Sequence, residues 1–481
     1  MILEINNSFC QFRGELPQKT EDYITKALTY ERDIASEINS LWYMHKNAKW
    51  KGNHGQAKVI LGKINKLEKD KFVCLYKKGK FATGLLNIVK EILSRHKIDI
   101  EFKDLREEPE YSGLLKWNNK PYELRAYQKE MVDAGLKAGR GVFSAAVGSG
   151  KSIIAAYIIK KHAVSTLFVV PSRGLLEQIY NDFSIWFGKH NVEQLDTKKV
   201  RSAKNFKMIK IINIQALAAL NKSGDLDKLL DGVESIHIDE AHHIGSASFT
   251  DLLPKMEHVY YRYGYSGSFL RTGSDSLSMW SVLSNVLYSY PAHRGIEEGY
   301  LTPLEVKVHR LGGAFSRSYP KEYEKNYCGS KELLDKITEI IRDVGTDEQI
   351  LILVKQKAKG GSLIHKHLKL CGIKSVFISG DNTKEDITRG IDSFNNKKIN
   401  ILIGSSVIGE GIDVRSTTHL IMAQGGKSEI VMTQALGRAV RLYEGKTVAV
   451  VHDFEFVDTK YMKKHLDQRL DVYRRNFDCE I

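Results

Sequence analysis

The stretch Val142–Ser152, V-F-S-A-A-V-G-S-G-K-S, constrains this chain more than any other. Val142 and Phe143 end a short apolar run that reads as a buried strand. Gly148 and Gly150 follow, and Ile153–Ile159 reads as helix, so the order is strand, glycine turn, helix start. Such a turn is a phosphate cradle. Glycines let backbone N–H groups approach an anion, and the helix N-terminus adds partial positive charge. Gly148, Ser149 and Gly150 form the turn, Lys151 can reach the β- and γ-phosphates of a nucleotide, and the Ser152 hydroxyl can hold Mg²⁺. Ala145 stands where the common pattern has its first glycine.

A chain of 481 residues is too long for one core, and its length suggests roughly three domains. No run approaches the ~18 apolar residues of a membrane span, and the opening M-I-L-E-I-N-N lacks the basic-then-apolar order of a signal peptide. The expectation is a cytoplasmic protein with no membrane partner. Five scattered cysteines without a C-x-x-C pair argue against a disulfide framework or a zinc site. A net charge of +14 points to a polyanionic partner, with nucleic acid the leading candidate.

Residues 1–115 carry no catalytic pattern. Lys58–Ile64 and Lys71–Tyr76 read as strands, and Leu85–His96 reads as an amphipathic helix. Twelve lysines between positions 46 and 90 face only Glu68 and Asp70, with Trp42, Tyr43, Trp50 and Tyr76 among them. Such a module, with Lys49, Trp50 and Lys51 at its densest point, can grip phosphates and stack on exposed bases. Core aromatics beneath a solvated basic face remain the alternative. Polar, proline-bearing residues 107–121 mark a boundary, and Gln128 follows, its paired donor and acceptor suited to an adenine edge.

Beyond the cradle, Leu167–Val170 reads as a buried strand ending in P-S-R-G-L-L-E-Q, where Arg173 can hold a phosphate. Ser235–Ile238 is another strand, with Asp239-Glu240-Ala241-His242 at its end. Asp239 can hold Mg²⁺ through water, and Glu240 can orient and deprotonate the attacking water. Past Gly299–Leu304 a second α/β repeat begins without a cradle. Its strands are Ile350–Val354, Ser375–Ile378, Ile399–Ile403 and Leu420–Ala423. Gln434–Arg441 reads Q-A-L-G-R-A-V-R and places Arg438 and Arg441 three apart on a helix, where they can act as arginine fingers. The tail from Asp453 reads as a charged helix, and a solvated face is favoured there over a DNA contact.

In this order the motifs of residues 120–450 resemble a superfamily 2 helicase of the D-E-x-H type. The basic N-terminal module is most similar to the phage UvsW-like group, with RecG and XPB more distant. The resemblance implies an α/β protein of two RecA-like parallel-sheet lobes behind a small basic α+β domain. The expected units are 1–115, 116–304 and 305–455, with a helical tail over 456–481. It implies ATP and Mg²⁺ as cofactors. Gln215 joins Arg173 and Arg271 as nucleic-acid contacts; Ser266 and Ser268 join His242 in coupling nucleotide state to the track, His242 toward the second lobe. Gly411 and Asp413 touch the nucleotide, and Gln434 belongs to the catalytic set with Lys151, Asp239, Glu240 and both arginines. The implied activity is ATP-driven unwinding and branch migration of forked and four-way DNA, with single-stranded DNA also bound, by a monomer. Three alternatives stand beside it: a duplex translocase or RNA helicase with the same motor, a restriction-system motor subunit, and a binding scaffold with a decayed ATPase.

Overall fold

The computed structural model describes residues 1–32, 34–110, 113, 115–242, 251–267, 274–345, 347–405 and 414–479. Three larger sheets and a two-stranded ribbon divide the strands of the described residues. The first is built from β1 (Ile2–Ile5), β2 (Phe9–Arg13), β5 (Tyr76–Lys77), β6 (Lys80–Ala82) and β7 (Glu101–Asp104) in the order β5-β6-β2-β1-β7. It is antiparallel except where β1 runs alongside β7. The helix Leu86–Arg95 covers one face, burying Leu86, Val89 and Leu93.

β3 (Thr29–Glu31) and β4 (Phe72–Cys74) form a separate two-stranded ribbon, and between them lies a helical hairpin, Ala35–Trp50 and His54–Lys69. Here the strand expectation for Lys58–Ile64 fails. Ala57, Ile60 and Ile64 are the buried positions, and their three- and four-residue spacing is helical. They pack on Leu41 and Ala48 as a small core of their own. Asn53 caps the second helix by accepting from Gln56 N at 3.1 Å. Sixteen residues per helix give the hairpin a reach of about 24 Å.

The second sheet is wholly parallel: β8 (Arg140–Ala145), β9 (Thr166–Val170), β10 (Val192–Gln194), β11 (Ile209–Asn213), β12 (Ser235–Asp239), β13 (Tyr261–Ser266) and β14 (Val286–Tyr290) lie in the order β10-β11-β9-β12-β13-β8-β14. β8, β9, β11 and β13 are buried throughout, as expected of strands covered by helices on both faces. The third sheet is also parallel. β15 (Leu304–Leu311), β16 (Ile350–Leu353), β17 (Val376–Ile378), β18 (Ile401–Gly404), β19 (His419–Ile421) and β20 (Ala449–Phe456) run β15-β20-β19-β16-β18-β17. The fold is therefore two parallel-sheet α/β lobes behind a small α+β module. Among the described residues no helix is long and apolar enough to cross a membrane.

The C-terminal segment departs from the solvated helix read from its charges. Asp453–Phe456 completes β20, and the helix Tyr461–Phe477 packs into the second lobe with Met462, Leu466, Val472, Tyr473 and Phe477 buried. Arg469 makes a two-pronged pair with Asp453, 2.7 Å at each oxygen, and Tyr473 Oη donates to the same carboxylate at 2.8 Å. Such pairing offsets the desolvation of a fully buried charge.

The N-terminal module is fastened to the first lobe through its β1–β2 turn. Arg140 donates to Asn7 O at 2.9 Å, and the fully buried Arg262 donates to Ser8 Oγ at 2.9 Å and to the Met256 and Val259 carbonyls. Nearby, a Cβ on Gly84 would lie 1.9 Å from Trp280 O and 2.7 Å from Ser281 O. Only glycine permits that approach, because the opposing atoms are backbone. Gly84→Val is therefore expected to part the module from the lobe, accelerating protease cleavage between residues 105 and 125 at least tenfold relative to the parent protein.

In the second lobe three histidines form a column across neighbouring strands. His452 lies 2.9 Å from His309 and 3.0 Å from His419, nitrogen to nitrogen. Burial, then the two neighbouring rings and Lys307, push His452 down to about 3. A base depressed by folding stabilises the fold fully above its unfolded value of about 6.5 and loses that contribution as pH falls toward 3. Urea titrations should show stability falling from pH 7 to pH 5, and His452→Gln should flatten that fall.

Candidate active site

The cleft forms where β8, β9 and β12 end, because helix N-termini and strand carboxyl ends converge there. β8 stops at Ala145, and Ala146 N is held by Tyr290 O at 2.9 Å. Gly148 (φ 88°) and Gly150 (φ 82°) take left-handed conformations, and the helix Lys151–His162 starts two residues earlier than the apolar run suggested. A Cβ on Gly150 would sit 2.5 Å from Gln128 Nε2, so the tight turn needs its glycine twice over. The Ser149 carbonyl accepts from Tyr127 Oη at 2.7 Å and from Gln128 Nε2 at 2.9 Å. Gln128 Oε1 accepts from Arg125 N at 3.0 Å. The Gln128 amide, read from sequence as facing adenine, is thus turned into the cradle as a brace.

Lys151 Nζ donates to Ala145 O at 3.3 Å, folded back over the turn. Across from it, Asp239 ends β12 and accepts from Glu240 N at 3.0 Å. Burial and the Glu240 charge raise the Asp239 pKa, with Lys151 opposing. Glu240 itself has φ 48°, a left-handed conformation that costs an ordinary residue about 1–2 kcal/mol. That turn brings its carboxylate to Gly267 N at 3.4 Å and to His242 Nδ1 at 3.3 Å. His242 Nδ1 also meets Ser266 Oγ at 3.1 Å. Ser266 and Glu240, its partners among the described residues, both belong to the first lobe.

The second lobe supplies the opposite wall. Gln434, Arg438 and Arg441 line the same cleft, of about 600 Å³, as Lys151, Ser152, Asp239 and Glu240. The helix Glu429–Ala439 ends before Arg441, so the two arginines do not share a helical face. Arg441 instead occupies a turn whose carbonyl accepts from Thr302 Oγ1 at 3.2 Å and Lys446 Nζ at 3.0 Å, while Val440 O accepts from Thr302 N at 2.7 Å. Thr302 belongs to the crossover between the lobes. Burial and Arg441 push Lys446 down to about 8. Where the lobes touch, a Cβ on Gly437 would lie 2.2 Å from Val147 Cβ.

Arg173 stands exposed at the start of the helix Arg173–Phe187, capped by Ser172. With Gln215, which donates to Pro171 O at 3.1 Å, it lines a separate groove of about 740 Å³ bordered by Lys384 of the second lobe. Lys384 reaches across to Glu177 at 3.2 Å. Lys49, Trp50 and Lys51 are all exposed at the tip of the helical hairpin, away from the cleft, with Trp50 87% exposed. Ser268, Arg271, Gly411 and Asp413 lie outside the described residues.

Sequence reasoning missed Tyr127, Thr302 and the pair Arg125–Tyr300, whose guanidinium lies 4.4 Å above the ring at the cleft mouth. A tyrosine directly before Gln128 was the available signal for the first. The other two depend on long-range packing that no local pattern encodes.

Residues 121–263 match the family described as Type III restriction enzyme, res subunit, and residues 332–443 match the helicase conserved C-terminal domain. The ATP-dependent DNA helicase uvsW of Enterobacteria phage T4 is 25% identical over 423 residues, covering 80% of each chain. The pre-mRNA-splicing ATP-dependent RNA helicase prp28 of Schizosaccharomyces pombe is 25% identical over 221 residues, 44% of this chain and 33% of its own. Among solved structures, the ATP-dependent Type ISP restriction-modification enzyme LlaBIII bound to DNA covers 81% of this chain with a TM-score of 0.56 at 16% identity; this chain spans 32% of that one.

The Val147–Gly437 contact yields a test. Gly437→Ala should hold the lobes apart and lower the nucleic-acid-stimulated ATPase kcat about tenfold, equivalent to about 1.4 kcal/mol. Adding Val147→Ala should recover most of the loss.

Proposed function

Because this chain is an ATP-dependent helicase of superfamily 2, with both halves of the motor present, we propose that its track is DNA and that it unwinds or branch-migrates forks and four-way junctions. Residues 116–304 and 305–455 serve as the two motor lobes, the C-terminal helix adds to the second, and residues 1–115 read the junction. The working unit is a monomer.

The helical hairpin carries this reading. The acids within its two helices, Glu37 and Glu68, lie at the base, whereas Lys46, Lys49, Lys51 and Lys58 surround the tip. Trp50 projects there with nothing packed over it. A cationic tip bearing a bare indole suits a branch point, where phosphates of two duplexes converge and a terminal base pair offers its face. Stacking of a base on an aromatic ring contributes about 1–3 kcal/mol.

At the cleft, the chain's own groups divide the work. Backbone N–H groups of the turn and Lys151 hold the β- and γ-phosphates, and Tyr127 and Gln128 keep the turn in shape. Ser152 and Asp239 would hold Mg²⁺, which would supply positive charge against the phosphates. The raised Asp239 carboxyl, buried beside Glu240, fits a site whose charge balance needs a cation. Glu240 takes the proton of the attacking water, and Gly267 N and His242 fix its carboxylate. Arg438 and Arg441 stabilise charge on the transferring phosphoryl group when the lobes close, an effect of about 10³–10⁵ in rate for such fingers. Arg173, Gln215 and Lys384 border the groove along which phosphates would pass. In branch migration each pair broken is replaced by one formed, so directional stepping suffices.

Steady-state ATPase activity with matched single-stranded, linear duplex, forked and four-way DNA and single-stranded RNA tests this. Forked and four-way DNA should stimulate most. Changing Lys49, Trp50 and Lys51 together to Ala should cut that stimulation about tenfold while leaving stimulation by single strands within about twofold. Equal stimulation by linear duplex, or preference for RNA, would sink the junction reading. Glu240→Gln should lower turnover by about 10²–10⁴ with ATP still bound.

A further inference from the structure

The second lobe holds another cavity, of about 820 Å³, at the carboxyl ends of β16, β18 and β19. Leu353 and Val354 form part of its floor, and Tyr319 and Tyr461 stand at its side. Lys355, Lys427, Lys460, Lys464 and Arg438 line it, and no carboxylate does so among the described residues. Burial, then Lys427, Arg469, Lys355 and Lys464, push His465 down to about 4.

Three lining residues hold buried polar atoms with no hydrogen-bond partner among the described residues: Ser405 Oγ, Gln424 Nε2 and His465 Nδ1. Ser405 is only 3% exposed. Buried polar groups are nearly always satisfied, and each unsatisfied one costs about 1–3 kcal/mol. A ligand in this cationic cavity would supply partners for all three. The helix Glu429–Ala439 begins at the same cavity, its N-terminus capped by Ser428, and adds further anion-seeking N–H groups.

We propose that this cavity binds one nucleotide unit, its phosphate held by Lys427 and Lys464, and its base lying against the tyrosine and aliphatic walls within reach of Gln424 and Ser405. A nucleotide meets all three demands at once: negative charge at the rim, a flat apolar body, and a polar edge with donors and acceptors. A strand passing over the lobe with one base turned inward and a free mononucleotide share this chemistry. Gln434 and Arg438 line both this cavity and the ATP cleft. One helix of eleven residues, about 16 Å long, therefore has its start at the bound base and its end at the arginine that faces ATP. The pocket's chemistry stands apart from the junction reading, which could fail with this site intact; only the strand as source rests on the motor assignment.

Photo-crosslinking of the full chain tests the proposal. An oligothymidylate carrying a single 5-iododeoxyuridine, and separately free 5-iododeoxyuridine monophosphate, are irradiated with the protein and the modified peptides mapped. Crosslinks at Tyr319, Tyr461 or His465 from the oligonucleotide assign the site to a strand. The same crosslinks from the free nucleotide alone assign it to a soluble ligand. Absence of both overturns the site. Two variants, Lys427→Glu/Lys464→Glu and the cavity-filling Val431→Trp, should each reduce the crosslink at least tenfold, with unfolding midpoints checked in parallel. Loss in the charge variant but not in Val431→Trp would mean a surface phosphate contact and would overturn the pocket.

Discussion

The Ser149 carbonyl accepts hydrogen bonds from both Tyr127 and Gln128, and the phosphate turn has its shape because of that pair. A turn with two left-handed glycines has many conformations open to it when isolated. Anchoring its middle carbonyl to a helix that packs beside the strand removes most of them before any ligand arrives. Tyr127 is itself pinned by stacking on Tyr290 at 3.8 Å, at the end of β14. The preorganised cradle thus draws on three separate segments of the first lobe, and its electrostatic work costs little reorganisation when phosphate binds.

The same economy of contact governs how the parts communicate. Val147 rests on the Cα of Gly437, so the turn that holds phosphate touches the helix that carries Arg438. Thr302, in the crossover between lobes, bonds both Val440 and Arg441 carbonyls. A change of angle between lobes must therefore move the arginines relative to the cradle. At the other end of the first lobe, Arg140 and Arg262 grip the β1–β2 turn, and the glycine contact at Gly84 leaves no slack. Whatever the helical hairpin meets, the force is delivered to the first lobe through a stiff joint.

Much of this was legible in the chain. Buried parallel strands appear as short runs such as L-F-V-V and I-L-I, because both faces are covered and alternation is lost. Chemistry-bearing residues follow directly at their ends, as with Asp239 after β12 and the P-S-R after β9. The hairpin was not legible as such: Lys58–Ile64 mixes lysines with Val59, Ile60 and Leu61, and only burial reveals that Ile60 and Ile64, with Ala57, form the inner stripe. The C-terminal helix misled for a related reason. Its charges are real, but Arg469 is turned inward to Asp453, a partner that local pattern cannot announce.

By itself, then, the sequence determined the elements whose physics is local: the glycine turn opening onto a helix, the buried strands, the acidic pair at a strand end and the basic stretch before them. Each is set by φ/ψ freedom, side-chain period or charge density within a dozen residues. Tertiary structure alone decided that Gln128 faces the cradle, that His242 turns to Ser266 and that Arg441 sits outside its helix. It also gathered Ser405, Gln424 and His465 around one cationic cavity. Those outcomes depend on which distant atoms are left to satisfy a buried donor or acceptor, and only the closed packing of both lobes supplies that information.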